Sequence, residues 1–252
     1  MLVAAALVPD TALLVPGVAG AADPARTLAV AAARAVEAAT READVVVVVA
    51  PGPTDRELVG DVPGTFAPVG VPDRALRAPL PVLIAGADAP DGGPPTSTGV
   101  PAPATAVAIH LLAGAGCTRA RLVEVARGSA DGRADRLHAL GRELAGSGTR
   151  RTALVVVGSA SGRHGPDAPL ADDPRAPGYD AELLAGLAQG GEEARARLAT
   201  LDAALAVELA VTGWAPWQVL VGAAAATAVA AELVHAEVLA GAQHAVLLWR
   251  CA

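Results

Sequence analysis

A run of five valines at residues 45–49 limits what this chain can fold into more than any other feature. β-Branched residues that follow one another without polar alternation are typical of a strand that is buried on both faces. Residues 2–8 and 152–157 form two further apolar runs of the same kind. The three runs predict a central sheet that is covered by helices on both of its faces.

The segment between the first two runs predicts a helix. Asp23 can cap its first turn, Pro24 suits the next position, and no breaker occurs before about Glu42. A strand, a helix and a strand in so short a segment predict a βαβ unit with two parallel strands and a right-handed crossover. We therefore expect an α/β fold with a largely parallel or mixed sheet. Neither a repeat nor a linker interrupts the chain, so we expect one domain over residues 1–252.

The rest of the chain continues the alternation of helices and strands. Residues 51–104 contain much of the proline and glycine and predict long surface excursions with one short strand near residues 81–85. Residues 180–230 predict consecutive short helices after a second loop of this kind at 158–178. The other predicted elements are helices at 105–112 and 134–145 and strands at 121–125, 232–238 and 244–249.

Charge and cysteine content exclude several classes of function. The 26 acidic residues outnumber the 19 basic ones, all of them arginine, so the net charge is -7 and no nucleic-acid partner is expected. The longest uncharged apolar run near the C-terminus, residues 219–231, is shorter than the roughly 20 residues that a membrane-spanning helix needs. The 2 cysteines are too few for a disulfide framework, and the apolar N-terminus lacks the basic start of a signal peptide. We expect a cytoplasmic protein with no membrane partner.

The residues directly after the three apolar strands are the first candidates for a functional site, since ligands of parallel sheets bind beyond the carboxyl ends of the strands. The candidate side chains of these loops are Asp10, Thr54, Asp55, Ser159, Ser161, Arg163 and His164. If the three strands are neighbours, these side chains can converge on one pocket. The alternative is that the aspartates cap turns and that glycine and serine only permit tight bends.

His164 is the histidine of these loops, and an imidazole suits proton transfer near neutral pH. Arg163 beside it can hold an anionic substrate or remain solvated. Residues 158–162 resemble a nucleophile elbow, but Ala160 stands where serine is required. The other four histidines lie in predicted helices (His110 and His138) and in predicted strands (His235 and His244). We expect these four to be structural.

Five segments of the chain carry a family resemblance. They are residues 7–16 (Leu-Val-Pro-Asp-Thr-Ala-Leu-Leu-Val-Pro), 46–53, 154–162, 214–223 and 245–249. The first is similar to the Pro-His-Pro-Pro-Leu-Leu-Val-Pro opening of the LigB-type class III extradiol ring-cleavage dioxygenases. The others resemble, in order, that family's second strand with its Pro-His turn, a strand followed by Gly-x-x-Ser-His, a late helix and the closing strand. The resemblance extends over nearly the whole chain and is greatest to Ala-rich LigB-like proteins of actinobacteria.

The resemblance implies a non-haem Fe(II) that is held by two histidines and a carboxylate, or by three histidines, and that binds a catecholate and O2 while a further histidine acts as acid and base. In this chain the ligand positions read Asp10, Gly52 and about Gly213, and the acid–base position reads Gly162. Of these, Asp10 keeps a side chain that can coordinate. We therefore expect a non-catalytic or divergent LigB-like protein with no metal and no cofactor. Such a protein would bind a small aromatic or acidic ligand in the former pocket.

The glycines at these positions are expected to leave one of two arrangements. Either an enlarged pocket remains, with Asp10 and His164 as its candidate catalytic residues, or the loop at residues 60–103 fills the groove. The sequence is also compatible with assembly into a homo-oligomer.

Two enzymatic functions remain as alternatives. One is an oxidoreductase in which Asp10, His164 and either Asp55 or Glu57 rebuild a shifted site for Fe(II) or another divalent ion. The other is a hydrolase or lyase that pairs Ser159, or the nearby Ser161, with the same histidine.

Overall fold

A mixed sheet runs through the protein. In the computed structural model, which describes residues 1–86, 99–128, 130–146, 148–168 and 170–252, this sheet contains nine strands. The strands are β1 (Leu2–Val8), β2 (Val45–Gly52), β3 (Arg56–Leu58), β4 (Gly60–Pro63), β5 (Val82–Ala85), β6 (Arg119–Ala126), β7 (Thr152–Val157), β8 (Val229–Leu239) and β9 (Ala242–Cys251). They follow the order β4-β5-β6-β2-β7-β1-β9-β8, and β3 pairs with β6. The predicted α/β fold is confirmed.

The three predicted apolar strands lie next to one another at the centre of the sheet. β7 pairs in parallel with β2 on one side and with β1 on the other, and β2 continues in parallel to β6. All 6 residues of β7 are buried, as a strand that is covered on both faces requires. β9 pairs with β1 in the antiparallel direction, which makes the sheet mixed.

Seven helices in the described residues cover the two faces of the sheet. They are α1 (Arg26–Thr40), α2 (Pro103–Gly114), α3 (Arg133–Ala145), α4 (Ala176–Gln189), α5 (Glu192–Ala199), α6 (Ala203–Glu208) and α7 (Trp214–Ala223). Side chains of α1 and α2 belong to one apolar core, whereas those of α3 to α7 belong to the core on the other face. α3 and α7 approach so closely that a Cβ atom at Gly141 would lie 2.0 Å from the Val219 carbonyl oxygen. No helix of the described chain combines the length and the apolar character that crossing a membrane requires.

Two details of the predicted elements are wrong. α1 begins at Arg26 after Ala25, and Asp23 forms an ion pair with the Arg26 side chain at 3.1 Å instead of capping the helix. Part of the predicted surface excursion forms β3 and β4, because these segments pair with β6 and β5. Residues 87–98 of that excursion lie outside the described residues.

Candidate functional site

The carboxyl ends of β1 and β7 mark the place in this sheet where a ligand site is expected. The chain leaves β1 toward α1 on one face and leaves β7 toward α4 on the other face. Because these neighbouring strands send their connections to opposite faces, their ends form a topological switch point, where α/β proteins bind ligands. Asp10 and Ser159 follow the two strands directly.

Strand register brings three polar side chains into one row at this edge. The parallel pairing of β1 with β7, continued two residues beyond Val8, places Asp10 beside Ser159. The antiparallel pairing of β1 with β9, continued three residues beyond Leu7, places His244 opposite the same aspartate.

The three side chains form a hydrogen-bonded group, which we call the edge cluster (Asp10, Ser159 and His244). Ser159 Oγ donates to Asp10 Oδ1 at 2.6 Å and lies 2.9 Å from His244 Nδ1. The Asp10 backbone N–H also donates to Ser159 Oγ, at 3.4 Å. Ser159 and His244 are buried, whereas Asp10 is partly exposed. The Asp10 carboxylate is therefore the member of the cluster that a solute can reach.

The position of one proton decides what the edge cluster can do chemically. Ser159 has a single hydroxyl proton, so while it donates to Asp10 the contact with His244 requires a proton on Nδ1. Burial lowers the pKa of His244, although the carboxylates of Asp10 and Glu237 and a hydrogen bond to the Leu239 backbone act in the opposite direction. The carboxylate contacts the serine and not the imidazole, so the cluster differs from a Ser-His-Asp triad.

A second group, the loop cluster (Ser161, His164 and Asp180), ties the loop after β7 to α4. The Asp180 carboxylate accepts hydrogen bonds from the Ser161 backbone N–H at 3.0 Å and from the Ser161 hydroxyl at 2.5 Å, and His164 Nε2 lies 2.6 Å from it. Asp180 is 2% exposed, so these partners compensate for the burial of its charge. His164 is thus directed toward α4. Neither Asp180 nor His244 is found by sequence reasoning, because both reach the site through tertiary packing and not through a motif.

The other predicted site residues have separate partners. Asp55 accepts two hydrogen bonds from the Arg133 guanidinium, at 2.5 and 2.6 Å, and this interaction lowers the pKa of Asp55. Arg163 donates to the Ala171 carbonyl at 2.9 Å. Thr54 is exposed and makes no hydrogen bond within the described residues. These three side chains hold or flank their loops and do not contact the edge cluster.

The structure therefore brings predicted residues together in two pairs but not in one site: Asp10 contacts Ser159, and Ser161 and His164 share the Asp180 carboxylate. Asp55 and Glu57 pair with arginines of α3 and β6, and His164 pairs with the α4 carboxylate. The shifted carboxylate–histidine metal site does not assemble from these residues. Among the described residues, no group of three or more His, Cys, Asp or Glu side chains is arranged to hold a metal ion.

Gly52 and Gly213, two of the glycines that the sequence resemblance singles out, face side chains that fill the space beside them. A Cβ atom at Gly52 would lie 2.7 Å from Glu124 Cβ, and one at Gly213 would lie 2.3 Å from the Trp217 ring. At Gly213 the expectation of an enlarged pocket or of a groove filled by the loop at 60–103 is wrong, because the Trp217 indole occupies the space. At Gly52 the Glu124 side chain occupies the space of a Cβ atom, although Gly52 also lines an open cavity at the end of β2.

Glu124 holds three elements together below this edge. Its carboxylate is fully buried and accepts hydrogen bonds from Arg56 Nε at 2.8 Å, from the Ala102 backbone N–H at 2.7 Å and from Thr105 Oγ1 at 2.8 Å. Ala102 is the residue that caps α2, and Arg56 begins β3. The positive end of α2 and the Arg56 guanidinium therefore neutralise this buried charge.

An open cavity of about 380 Å3 lies at the ends of β2 and β6, and we call it the edge cavity. It is lined by Pro51, Gly52, Pro53, Ala102, Pro103 and Arg127. Arg127 is exposed and forms no hydrogen bond or ion pair within the described residues. The edge cavity thus combines rigid apolar walls with one available guanidinium group.

Comparison with known proteins supports the fold alone. No family model matches the chain, and no curated protein matches it. A solved structure with a similar fold is that of an uncharacterized protein, JW3007, from Escherichia coli K12, with a TM-score of 0.52 and 14% sequence identity. The match covers 98% of this chain and 99% of the other. The strand and helix arrangement is therefore shared over the full length of both chains.

Proposed function

We propose that this protein binds a small organic acid, aromatic or aliphatic, in the edge cavity and carries out no metal-dependent reaction there. The observation that carries the proposal is the Arg127 guanidinium, which has no partner among the described residues and stands at the rim of an apolar cavity at the carboxyl edge of the sheet. A guanidinium binds a carboxylate through two parallel hydrogen bonds, which fixes the orientation of the ligand.

The walls of the cavity suit the apolar part of such a ligand. Pro51, Pro53 and Pro103 are rigid and offer no N–H group to compete for the carboxylate. The nearby Glu124 carboxylate is paired with Arg56, so it does not repel an anion strongly. The cavity volume lies within the usual range for small-molecule sites.

The resemblance to LigB-type dioxygenases supports the non-catalytic part of the proposal. The family's Fe(II) needs at least three donor side chains. Asp10 and His244 supply two neighbouring donors, and the former ligand positions at Gly52 and Gly213 supply none. The residues present do not fit the metal. We propose that the protein works in the cytoplasm without a cofactor.

Calorimetric titration with benzoate tests the binding site, with neutral benzamide as the matched ligand. We expect Arg127→Gln to weaken benzoate binding about tenfold, since a charge-assisted pair is lost, and to leave benzamide unchanged. Arg34→Gln is the control, because Arg34 is an exposed arginine of α1 and does not line the cavity. Benzoate binding that is equally sensitive to both substitutions, or to neither, would contradict the assignment.

A second candidate is a hydrolase that uses the edge cluster. It is favoured by the 2.9 Å contact between Ser159 Oγ and His244 Nδ1, which is the distance of a nucleophile from its base. In such a reaction the Ser159 hydroxyl would turn from Asp10 to His244, whose Nδ1 would be unprotonated in the tautomer that carries the proton on Nε2. Ser159 Oγ would then attack an electrophile, and Nδ1 would take the hydroxyl proton. A fluorophosphonate probe tests this, because it would phosphonylate Ser159 with release of fluoride. Labelling that persists in Ser159→Ala, or that is lost in the control Ser161→Ala, would argue against this chemistry.

A further inference from the structure

A second cavity lies between α1 and the C-terminal end of α2, and we call it the helix groove. Its volume is about 660 Å3. Its apolar lining includes Leu14, Val15, Ala29, Ala33, Pro81 and Leu111. Leu14 and Val15 form a buried floor, each with 4% exposure, and the alanines of α1 leave room above it. This volume accommodates a small organic molecule.

His110 supplies an oriented polar group in the wall of the helix groove. Its Nε2 lies 2.7 Å from the Gly64 carbonyl oxygen, which can only accept, so Nε2 carries the proton. The imidazole is held in this orientation by stacking on Phe66, with a distance of 5.5 Å between ring centres. Burial lowers the pKa of His110, so the ring is neutral at neutral pH. Nδ1 is then an acceptor, and it has no hydrogen-bond partner within the described residues.

The direction of this acceptor follows from the packing of the ring. A Cβ atom at Gly64 would lie 3.1 Å from His110 Cδ2 and 3.2 Å from Nε2, so this edge of the imidazole faces Gly64. The opposite edge carries Nδ1 and Cε1. Because His110 also lines the helix groove, Nδ1 is the polar atom that it can present to a molecule bound there.

The other polar groups of the groove cancel each other. Asp23 and Arg26 stand at its rim as an exposed ion pair at 3.1 Å. They add no net charge to attract an ion. An unpaired lone pair on a neutral imidazole favours a hydrogen-bond donor and disfavours a carboxylate.

We propose that the helix groove is a second ligand site, which binds a neutral molecule with an apolar body and one hydroxyl group that donates to His110 Nδ1. A phenol or a small alkyl alcohol has this chemistry. The site is separate from the edge cavity in its residues and in the charge of its ligand, so either site can fail without the other.

Calorimetric titration with 4-butylphenol and 4-butylanisole tests the proposal. The two probes share their apolar body, but the methyl ether has no hydroxyl proton to donate. We expect 4-butylphenol to bind wild-type protein about fivefold more tightly than 4-butylanisole, as one hydrogen bond predicts. The His110→Phe variant should remove this preference. Equal affinity of the two probes for the wild-type protein would overturn the assignment of His110.

A second pair of variants tests the groove without changing His110. Ala33→Trp puts an indole into the groove from the exposed side of α1, whereas Ala38→Trp puts the same group elsewhere on that helix. We expect Ala33→Trp to weaken 4-butylphenol binding at least tenfold and Ala38→Trp to leave it unchanged. Binding that survives Ala33→Trp would overturn the site. So would wild-type protein that dimerises in light scattering and becomes monomeric through Ala33→Trp, because a second copy would then fill the groove.

Discussion

The Gly213→Ala substitution tests whether the Trp217 side chain fills the space beside Gly213. Gly213 has φ −79° and ψ −12°, a conformation that alanine adopts without strain. The effect of the substitution is therefore steric. The added Cβ would lie 2.3, 2.5 and 2.5 Å from three atoms of the Trp217 indole, and Trp217 is 5% exposed.

The size of the effect follows from these distances. Carbon atoms in contact are normally separated by about 3.5 Å or more, so the indole or the backbone has to move by about 1 Å. Overpacking of this kind costs about 1–3 kcal/mol. The gain from a less flexible unfolded chain offsets about 0.5 kcal/mol of this cost. We expect the free energy of unfolding to fall by about 1.5 kcal/mol, or the Tm by about 4 °C.

Urea unfolding followed by circular dichroism measures this change in a double-mutant cycle with Trp217→Phe. The smaller ring leaves room for the methyl group, so Gly213→Ala should cost at least about 1 kcal/mol less in the Trp217→Phe background. Gly178→Ala is the control, because Gly178 lies in α4 with nothing within 4 Å of an added Cβ. A Gly213→Ala variant that is as stable as the control, or a cycle in which the two substitutions are additive, would refute the steric argument.

The remaining predictions concern buried charges. Glu124→Ala should lower the free energy of unfolding by about 3 kcal/mol in urea, because Arg56 and two further donors lose a fully buried acceptor, and a loss below about 1 kcal/mol would contradict this. Asp180→Asn should cost about 2 kcal/mol, since an amide replaces charge-assisted hydrogen bonds, and amide hydrogen exchange should show faster exchange in the loop after β7. Burial lowers the pKa of both His110 and His244 from 6.5, so the unfolded chain binds protons more readily than the folded one. The stability that these two neutral histidines contribute should be fully present above pH 6.5 and should be lost as the pH falls below it. In thermal melts from pH 8 to 5, the Tm of the His110→Gln and His244→Gln variants should therefore each decrease less than that of the wild type.

The central strands could be predicted from the sequence because their signal is local. The valines of β2 and the apolar residues of β7 have no polar alternation, and burial on both faces explains that pattern. The helix between β1 and β2 is also predicted, but its first residue is not. Asp23 has a side chain that can cap a helix, yet the cap position falls two residues later, at Ala25, and Asp23 pairs with Arg26.

The partners in the candidate site could not be predicted, because they depend on register between distant segments. Asp10 and His244 are 234 positions apart in sequence and become neighbours when β9 adds to the antiparallel side of β1. No spacing rule contains that information. Asp180 is similar, since a helix residue reaches the loop after β7 only when α4 packs against the sheet.

Glu124 shows that a signal can be present in the sequence and still be overlooked. It stands in an otherwise apolar stretch, Leu-Val-Glu-Val, which predicts a buried strand. A carboxylate in such a strand needs partners, because an unpaired charge is too costly to bury. Gly52 lies in β2, which pairs with β6, and its lack of a side chain leaves space for the Glu124 side chain. Gly52 and Glu124 are thus two parts of one arrangement, in which the missing side chain of the glycine makes room for a buried acid that Arg56 and the N-terminus of α2 neutralise.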